Sequence, residues 1–485
     1  MESERGLHRV RRAAALVGLA WTFAGCAWQP GLDRPVPVPE VAELFPRQEL
    51  RQEMRQGEDA SRLAWSAYFT DPALRQLIAL ALDQNRDLRI AAYRAAQARA
   101  IFAARRAERL PVIALSAQAD RARVPGDLNL TGLPLTGSQF DLGIGVASWE
   151  VDLWGRLRGL QDAALETYLA SEAGRRAITL NLVSEVANGY LRLREADERL
   201  ALAHRFTDSR ALSLRIFTRR MEEGATSRLN VTQVETLLMQ ARALGAQLEQ
   251  SRAAEAHALT LLVGAPVDLA PTTGWPAQGE WVAEPGPGLS SDLLVARPDI
   301  VAAEHQLRAE NASVSAARAE FFPRIVLTAS AGSASSALER LVAAGSTAWA
   351  VSSALSLPLF DAGRRQANVD LAQARRQQAV ANYEKTVQGA FRDVADAFSA
   401  RRWADEQAAI AQGALAVQTE RARLAQLRYD NGAAAYLEVL DAQRDLMSAS
   451  QQLVQVRRLA MASRVGLYAA LGGGSLSLPA VPEVP

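Results

Sequence analysis

Few side chains in this 485-residue chain are placed to do chemistry, and the first of them is Cys26, the only cysteine. A lone thiol cannot close a disulfide within one chain. It is preceded by Arg5, Arg9, Arg11 and Arg12, an apolar run from Ala13 to Phe23, and then Ala24 and Gly25. Basic, apolar and small, in that order, is the layout of a secretory signal. Ending on cysteine, it reads as a lipobox, in which cleavage leaves a diacylglycerol on the sulfur of a new N-terminus. Phe23 stands where leucine is commonest in such boxes, and the plainer reading of Cys26 is a leftover thiol. The second candidate is a carboxylate pair, Glu438 and Asp441, three residues apart and so on one helix face. Such a pair, repeated around a constriction, would hold cations. His204, His257 and His305 stand at no metal-ligand spacing from one another. No Walker loop, Gly-x-Gly-x-x-Gly, Gly-x-Ser-x-Gly or Cys-x-x-Cys occurs. Gly472-Gly473-Gly474 reads as a helix stop, not a phosphate cradle. Nothing in the sequence points to an enzyme or a cofactor.

Composition narrows the class further. A formal net charge of +1 gives no reason to expect a nucleic-acid partner. Lys385 is the sole lysine, so nearly every cation is an arginine. Past the N-terminus no apolar run reaches the length of a membrane-spanning helix.

The elements that position these residues come as a duplication. Residues 103 to 264 reappear about 210 positions later. AARRAERLPVIALSAQA from Ala103 lines up with SAARAEFFPRIVLTASA from Ser315. Beyond Leu153, a constant offset sets Gly155 on Gly363, Gly224 on Gly432, Met239 on Met447 and Gly264 on Gly472. In each copy, alternation of period two predicts two strands, at about 111–120 and 139–150, then about 323–332 and 347–358. Phe140, Leu142, Ile144, Val146 and Ser148 share one face, with Gly143, Gly145 and Ala147 on the other. Runs of about 10 residues are long enough to cross a bilayer as tilted barrel strands. Proline-free stretches of Ala, Leu, Arg, Gln and Glu follow, which predict helices of about 67 residues and about 100 Å. Each stops at a glycine, Gly224 or Gly432, where a second helix turns back. The reading divides the chain into a signal peptide (1–25), an extended tether (26–61), repeat one (62–270) with its helical hairpin at 155–264, repeat two (271–472) with its hairpin at 363–472, and a Pro-rich tail (473–485).

Three segments then resemble one family. RPDIVAAEHQLRAENASVSAARAEFFPRIVLTASAG (Arg297 to Gly332), SWEVDLWGRLR (Ser148 to Arg158) and RYDNGAAAYLEVLDAQ (Arg428 to Gln443) resemble the TolC-like outer membrane efflux proteins, in their lipoprotein (NodT/OprM-type) branch. The likeness covers roughly residues 62 to 475. Copy one departs from it with Asn85-Arg86-Asp87-Leu88 where copy two has Arg297-Pro298-Asp299-Ile300. Asn230 stands where some members place aspartate. Ala27 after the cysteine, in place of aspartate, fits lipoproteins sent to the outer membrane.

The resemblance implies a mixed α and β membrane protein and a homotrimer. Four strands per chain would form a shared twelve-stranded outer-membrane β-barrel, continued by a long α-helical periplasmic barrel. It implies an exit duct partnered by a periplasmic adaptor (membrane fusion) protein and an inner-membrane pump of the resistance-nodulation-division type. It places Glu438 and Asp441 at a constriction, with Tyr429 tying the Gly432 hairpin to its neighbour near Asn230 and holding the channel shut. The competing readings are a pore-free coiled-coil scaffold and a secreted enzyme on a helical stalk. The first leaves the strands and the lipobox unexplained, and the second has no catalytic residues.

Overall fold

The structure is a computed structural model and describes residues 58–59, 62–130, 132–272, 281–283, 285–286 and 297–475. The signal segment with Cys26, nearly all of the tether and the tail beyond Ser475 lie outside the described residues. The chain forms two compact units, one of which gathers Ala96–Ala170 with Ala303–Tyr383.

That unit holds a four-stranded antiparallel meander of β2 (Ile113–Val124), β3 (Leu135–Glu150), β5 (Arg324–Ser335) and β6 (Thr347–Ser356). β2 and β6 are its open edges. β2 and β5 run past their expected ends, because ladder hydrogen bonds continue whether or not the side chains stay apolar. Helix α6 (Pro298–Ala319) leads into β5 and packs on the first turns of α4 (Arg156–Glu222). A Cβ on Gly159 would lie 3.2 Å from the Ala312 carbonyl oxygen, so glycine lets the two helices approach closely. His305 Nδ1 meets Glu166 Oε2 across the same contact at 2.6 Å.

The other unit is helical. It contains α1 (Trp65–Tyr68), α2 (Pro72–Gln84), the greater part of α4, α5 (Arg228–Val263), most of α7 (Arg364–Asp430) and α8 (Tyr436–Ala470). A short parallel pair, β1 (Glu58–Asp59) with β4 (Pro285–Gly286), completes it. α4 and α7 are both 67 residues long, and neither contains proline. Its core is built from Tyr68, Phe69, Leu74, Ile78, Val183, Val186, Leu259, Val465 and Tyr468. The Tyr68 and Tyr468 rings stack at 4.1 Å. Each buried phenol keeps a hydrogen bond, to the carbonyls of Arg464 and Leu63 at 2.8 Å.

The duplication is visible in the backbone. Positive φ recurs at Gly155 and Gly363, Gly224 and Gly432, and Gly264 and Gly472, each pair 208 positions apart. These are helix boundaries, where only glycine takes the left-handed conformation at no steric cost. The two motifs that open α3 (Arg86–Ala107) and α6 also do one job. Asn85 Nδ2 donates to the Leu262 carbonyl at 2.7 Å, and Arg297 Nη1 donates to the Ala470 carbonyl at 3.0 Å. Leu262 and Ala470 are themselves equivalent residues, so both motifs fasten to the open carbonyls in the last turn of a returning helix.

α7 carries two apolar seams. Ala408, Ala411, Leu415, Ala422 and Ala425 pack on Val439, Ala442, Leu453 and Val456 of α8. Trp403, Ile410, Val417 and Leu424 recur every seventh residue and are exposed; Ile410 and Val417 are 65% and 67% open. This second row lies roughly 130° around the helix from the first.

Candidate functional site

Residues paired directly across an antiparallel ladder share a face of the sheet, and the faces alternate along each strand. The register therefore sorts every side chain of the meander. One face takes Ile113 and Leu115 with Val146 and Ile144, then Ala329 and Ala331, then Val351, Trp349 and Leu355. These apolar groups are open: Leu115 is 75% exposed and Val351 70%. The opposite face carries Ser116, Gln118, Asp120, Gln139, Asp141, Thr328, Ser330 and Ser352. On it Gln118 donates to Asp120 at 2.7 Å and Gln139 to Asp141 at 3.0 Å.

Simple alternation along β3 is wrong at one point. The register shifts between Val146 and Trp149, and Trp149 pairs with Leu327. A β-bulge adds a residue there, so Trp149, not Ser148, joins the apolar face.

The polar face is also crowded at backbone level. Gly143, Gly145 and Gly332 lie on it, and a Cβ on Gly145 would stand 2.6 Å from the Ala329 carbonyl oxygen. On Gly143 the clash would be 2.8 Å from the Ala331 oxygen. At these three positions only glycine lets β3 and β5 approach so closely. In a membrane barrel the apolar face meets lipid, which makes the hydrophilic face the inner one.

The second candidate region is the pair of hairpin tips. α4 ends with Gly224 N–H donating to Met221 and Ala225 N–H to Arg220; α7 ends with Gly432 to Tyr429 and Ala433 to Arg428. Both are Schellman closures. The following helices differ. Ser227 caps α5 by accepting from the Asn230 N–H at 3.3 Å, while α8 has Ala435 and no side-chain cap. That leaves the second hairpin without a contribution of about 1 kcal/mol.

The structure places the expected gate residues as follows. The Tyr429 hydroxyl bonds the guanidinium of Arg220, which also lies 5.8 Å over its ring. Asn230 is occupied locally, its Nδ2 donating to Thr226 Oγ1 at 3.0 Å. Within the chain, Tyr429 bonds Arg220 at the end of α4 and packs in the cluster that holds Val231, the residue after Asn230, without a hydrogen bond to Asn230 itself. Glu438 and Asp441 share the expected helix face but are not bare carboxylates. Arg428 meets Glu438 at 2.6 Å and Arg444 meets Asp441 at 3.2 Å. Beside them Asp445 accepts from Arg421 and Arg444, which hold its carboxyl below the usual range, Arg421 foremost.

Further bonds tie α8 to α4. Tyr436 donates to Ser213 at 3.0 Å and stacks obliquely on Phe217. Arg210 donates to Gln443 at 2.7 Å, and Arg458 to Glu195 at 2.8 Å. Arg210 is buried without a carboxylate partner among the described residues, and burial pushes its guanidinium down from its ordinary value. The arginines of this latch were not singled out from the sequence, although the repeat aligns Arg220 with Arg428.

A sheet apolar on one face and hydrophilic on the other, with two open edges, is a segment of a membrane β-barrel wall. With long helical hairpins attached, it defines a subunit of a membrane channel. The chain belongs to the outer membrane efflux protein family, which it matches over residues 77–265 and 289–473. It is 44% identical over 411 residues to the solvent efflux pump outer membrane protein SrpC of Pseudomonas putida, covering 84% of this chain and 86% of that one. To OprJ of Pseudomonas aeruginosa it is 37% identical over 457 residues, 94% of each. Among solved structures, the open-state outer membrane channel MtrE of Neisseria gonorrhoeae matches with TM-score 0.79 and 35% identity over 87% of this chain and 94% of that one. The Campylobacter jejuni channel CmeC gives TM-score 0.85 at 26% identity over 93% and 95%. The protein is an outer-membrane exit duct of a tripartite efflux system and extends into the periplasm.

Proposed function

We propose that three copies of the chain close one passive duct, fed by a periplasmic adaptor and a resistance-nodulation-division pump, with no catalysis of its own. The observation that carries this reading is the sorting of the sheet: a greasy outer face and an inner face of Ser, Thr, Gln, Asp and Gly. Such an inner wall holds water and offers no apolar pocket to select cargo, so the pump sets the range. Relatives are named for efflux of solvents, toluene and antibiotics, and small molecules of those kinds are the cargo proposed here. The repeat boundaries at 62–270 and 271–472 are proposed as the two halves of the unit.

The lipid anchor belongs to the same proposal. Cys26, following Ala24-Gly25, is the acylated N-terminus of the mature chain and sits in outer-membrane lipid. A palmitate analogue should label the wild type in cells and leave Cys26→Ser unlabelled. An unprocessed wild-type N-terminus in the mass spectrum would end the idea.

The gate is proposed at the Gly432 hairpin. Opening requires α7 and α8 to leave α4, which breaks the bonds of Tyr429 to Arg220 and of Tyr436 to Ser213. Tyr429→Phe, and more so Arg220→Ala, should raise the open fraction of purified channels in planar bilayers. The carboxylates Glu438 and Asp441 are balanced by Arg428 and Arg444, so the resting tip selects weakly between ions. Removing both carboxylates (Glu438→Ala with Asp441→Ala) strands two guanidiniums and should turn the reversal potential toward anions. Unchanged opening and unchanged selectivity in all these variants would place the gate elsewhere. Mild acid should not loosen α7 from α8 at Asp445, whose depressed carboxyl keeps its contribution until pH falls through its folded value, below the ordinary carboxylate range.

A further inference from the structure

The apolar face of the sheet carries two charges at one end. Arg121 and Arg123 occupy β2 positions of the same parity as Ile113, Leu115, Ala117 and Ala119, so they point to the greasy side. Both are exposed. Neither has an ion pair among the described residues. The carboxylates of the same hairpin, Asp120 and Asp141, lie on the opposite face, each held by a glutamine of its own strand. Within this hairpin charge is therefore sorted by sign, with anions inward and cations outward, whereas the inward Arg324 of β5 is neutralised by Glu150.

Their level is defined as well. Ala119 pairs with Phe140, and the next positions toward the turn on that face pair Arg121 with Ser138 and Arg123 with Thr136. The arginines thus stand one step beyond an aromatic residue, at the turn end of the hairpin and away from the strand ends that enter the helices. Aromatic residues mark the edge of the hydrocarbon layer in barrels. A guanidinium on the lipid side is tolerated only at or beyond that edge, where it meets headgroups. Since the helices extend into the periplasm, this edge is the outer leaflet.

We propose that Arg121 and Arg123 form a binding site for the phosphate groups of the outer leaflet's glycolipid. Guanidinium is the side chain suited to this, because its planar fork grips phosphate with two parallel hydrogen bonds. The two side chains are two residues apart on one strand, about 7 Å, so both reach one headgroup. β2 is an edge of the sheet, which sets the site where one copy meets the next in the proposed barrel. The inference rests on that barrel reading.

The test uses the purified channel, native mass spectrometry and bisphosphorylated lipid A as the probe. Wild type should hold the lipid, and Arg121→Gln with Arg123→Gln should bind it about 30-fold more weakly, as two lost basic contacts at a lipid surface imply. Lysine at both positions should restore part of the affinity. Lipid A stripped of phosphate should bind like the glutamine variant. Equal binding of lipid A by wild type and the glutamine variant overturns the proposal, as does equal binding of phosphatidylglycerol and lipid A by the wild type. If the double variant does not assemble, each single glutamine variant carries the same comparison. Conductance of the glutamine variant is read in parallel: lost lipid with intact conductance concerns only this site, whereas absent conductance in the wild type would count against the channel itself.

Discussion

Arginine at Ile144 should empty the outer membrane of assembled channel. Ile144 lies in the middle of β3, 56% exposed, between Leu115 and Ala331 on the apolar face. A guanidinium there costs about 2 to 4 kcal/mol near the bilayer midplane, and a trimer meets that cost in every copy. Val351→Arg should behave alike. The control is Ser352→Arg, one residue away on the water-lined face, which should assemble and only narrow the pore. Gly145, on the same inner face, is no control, since any side chain there meets the Ala329 carbonyl. The measurement is the yield of heat-dissociable trimer in the outer-membrane fraction. Equal yields from Ile144→Arg and Ser352→Arg would show that the faces are assigned the wrong way round.

Glutamate at Val417 should stop three copies from closing. One seam of α7 is satisfied by α8 within the chain, and the heptad row of Trp403, Ile410, Val417 and Leu424 is not. A strict seven-residue repeat is the pattern of a helix–helix seam, so this row calls for another helix. In a closed ring of helices each member has two neighbours, and the second neighbour of α7 is a helix of another copy. Burying valine contributes about 1.5 to 3 kcal/mol, and an unpaired carboxylate in its place adds a desolvation cost. Val417→Met, which conserves apolar volume, should assemble. Native mass spectrometry in detergent reads the result, and a Val417→Glu trimer as abundant as the wild type would refute the seam.

What was legible in the sequence follows from the range of the interactions concerned. The long helices showed because sixty-odd residues without proline, rich in Ala, Leu, Arg and Glu, leave no competing structure. Their ends showed because glycine is needed for a left-handed residue, and the repeat gave each glycine twice. The strands showed through alternation, although Arg121 and Arg123 interrupt it and hid the last turn of the ladder. The bulge at Val146–Trp149 left no mark, because an extra residue changes parity without changing composition. The gate was legible only as a face and a family likeness. The partners of Glu438 and Tyr429 are Arg428, ten residues back, and Arg220, on another helix. Pairings of that kind are fixed by packing and not by local pattern. Asn85 and Arg297 make the same lesson from the other side, since two unlike side chains serve one purpose in the two copies.

The open edges of β2 and β6 have a consequence for heredity. Each copy finishes its neighbour's sheet with its own unpaired backbone, so a protomer with one spoiled edge or seam still joins a sound copy through its other edge and keeps that ring from closing. In a cell making good and defective copies together, most rings would include at least one defective member. Damage to these surfaces would therefore be dominant, whereas a change that merely unfolds the chain would be recessive, because an unfolded copy never reaches its partners.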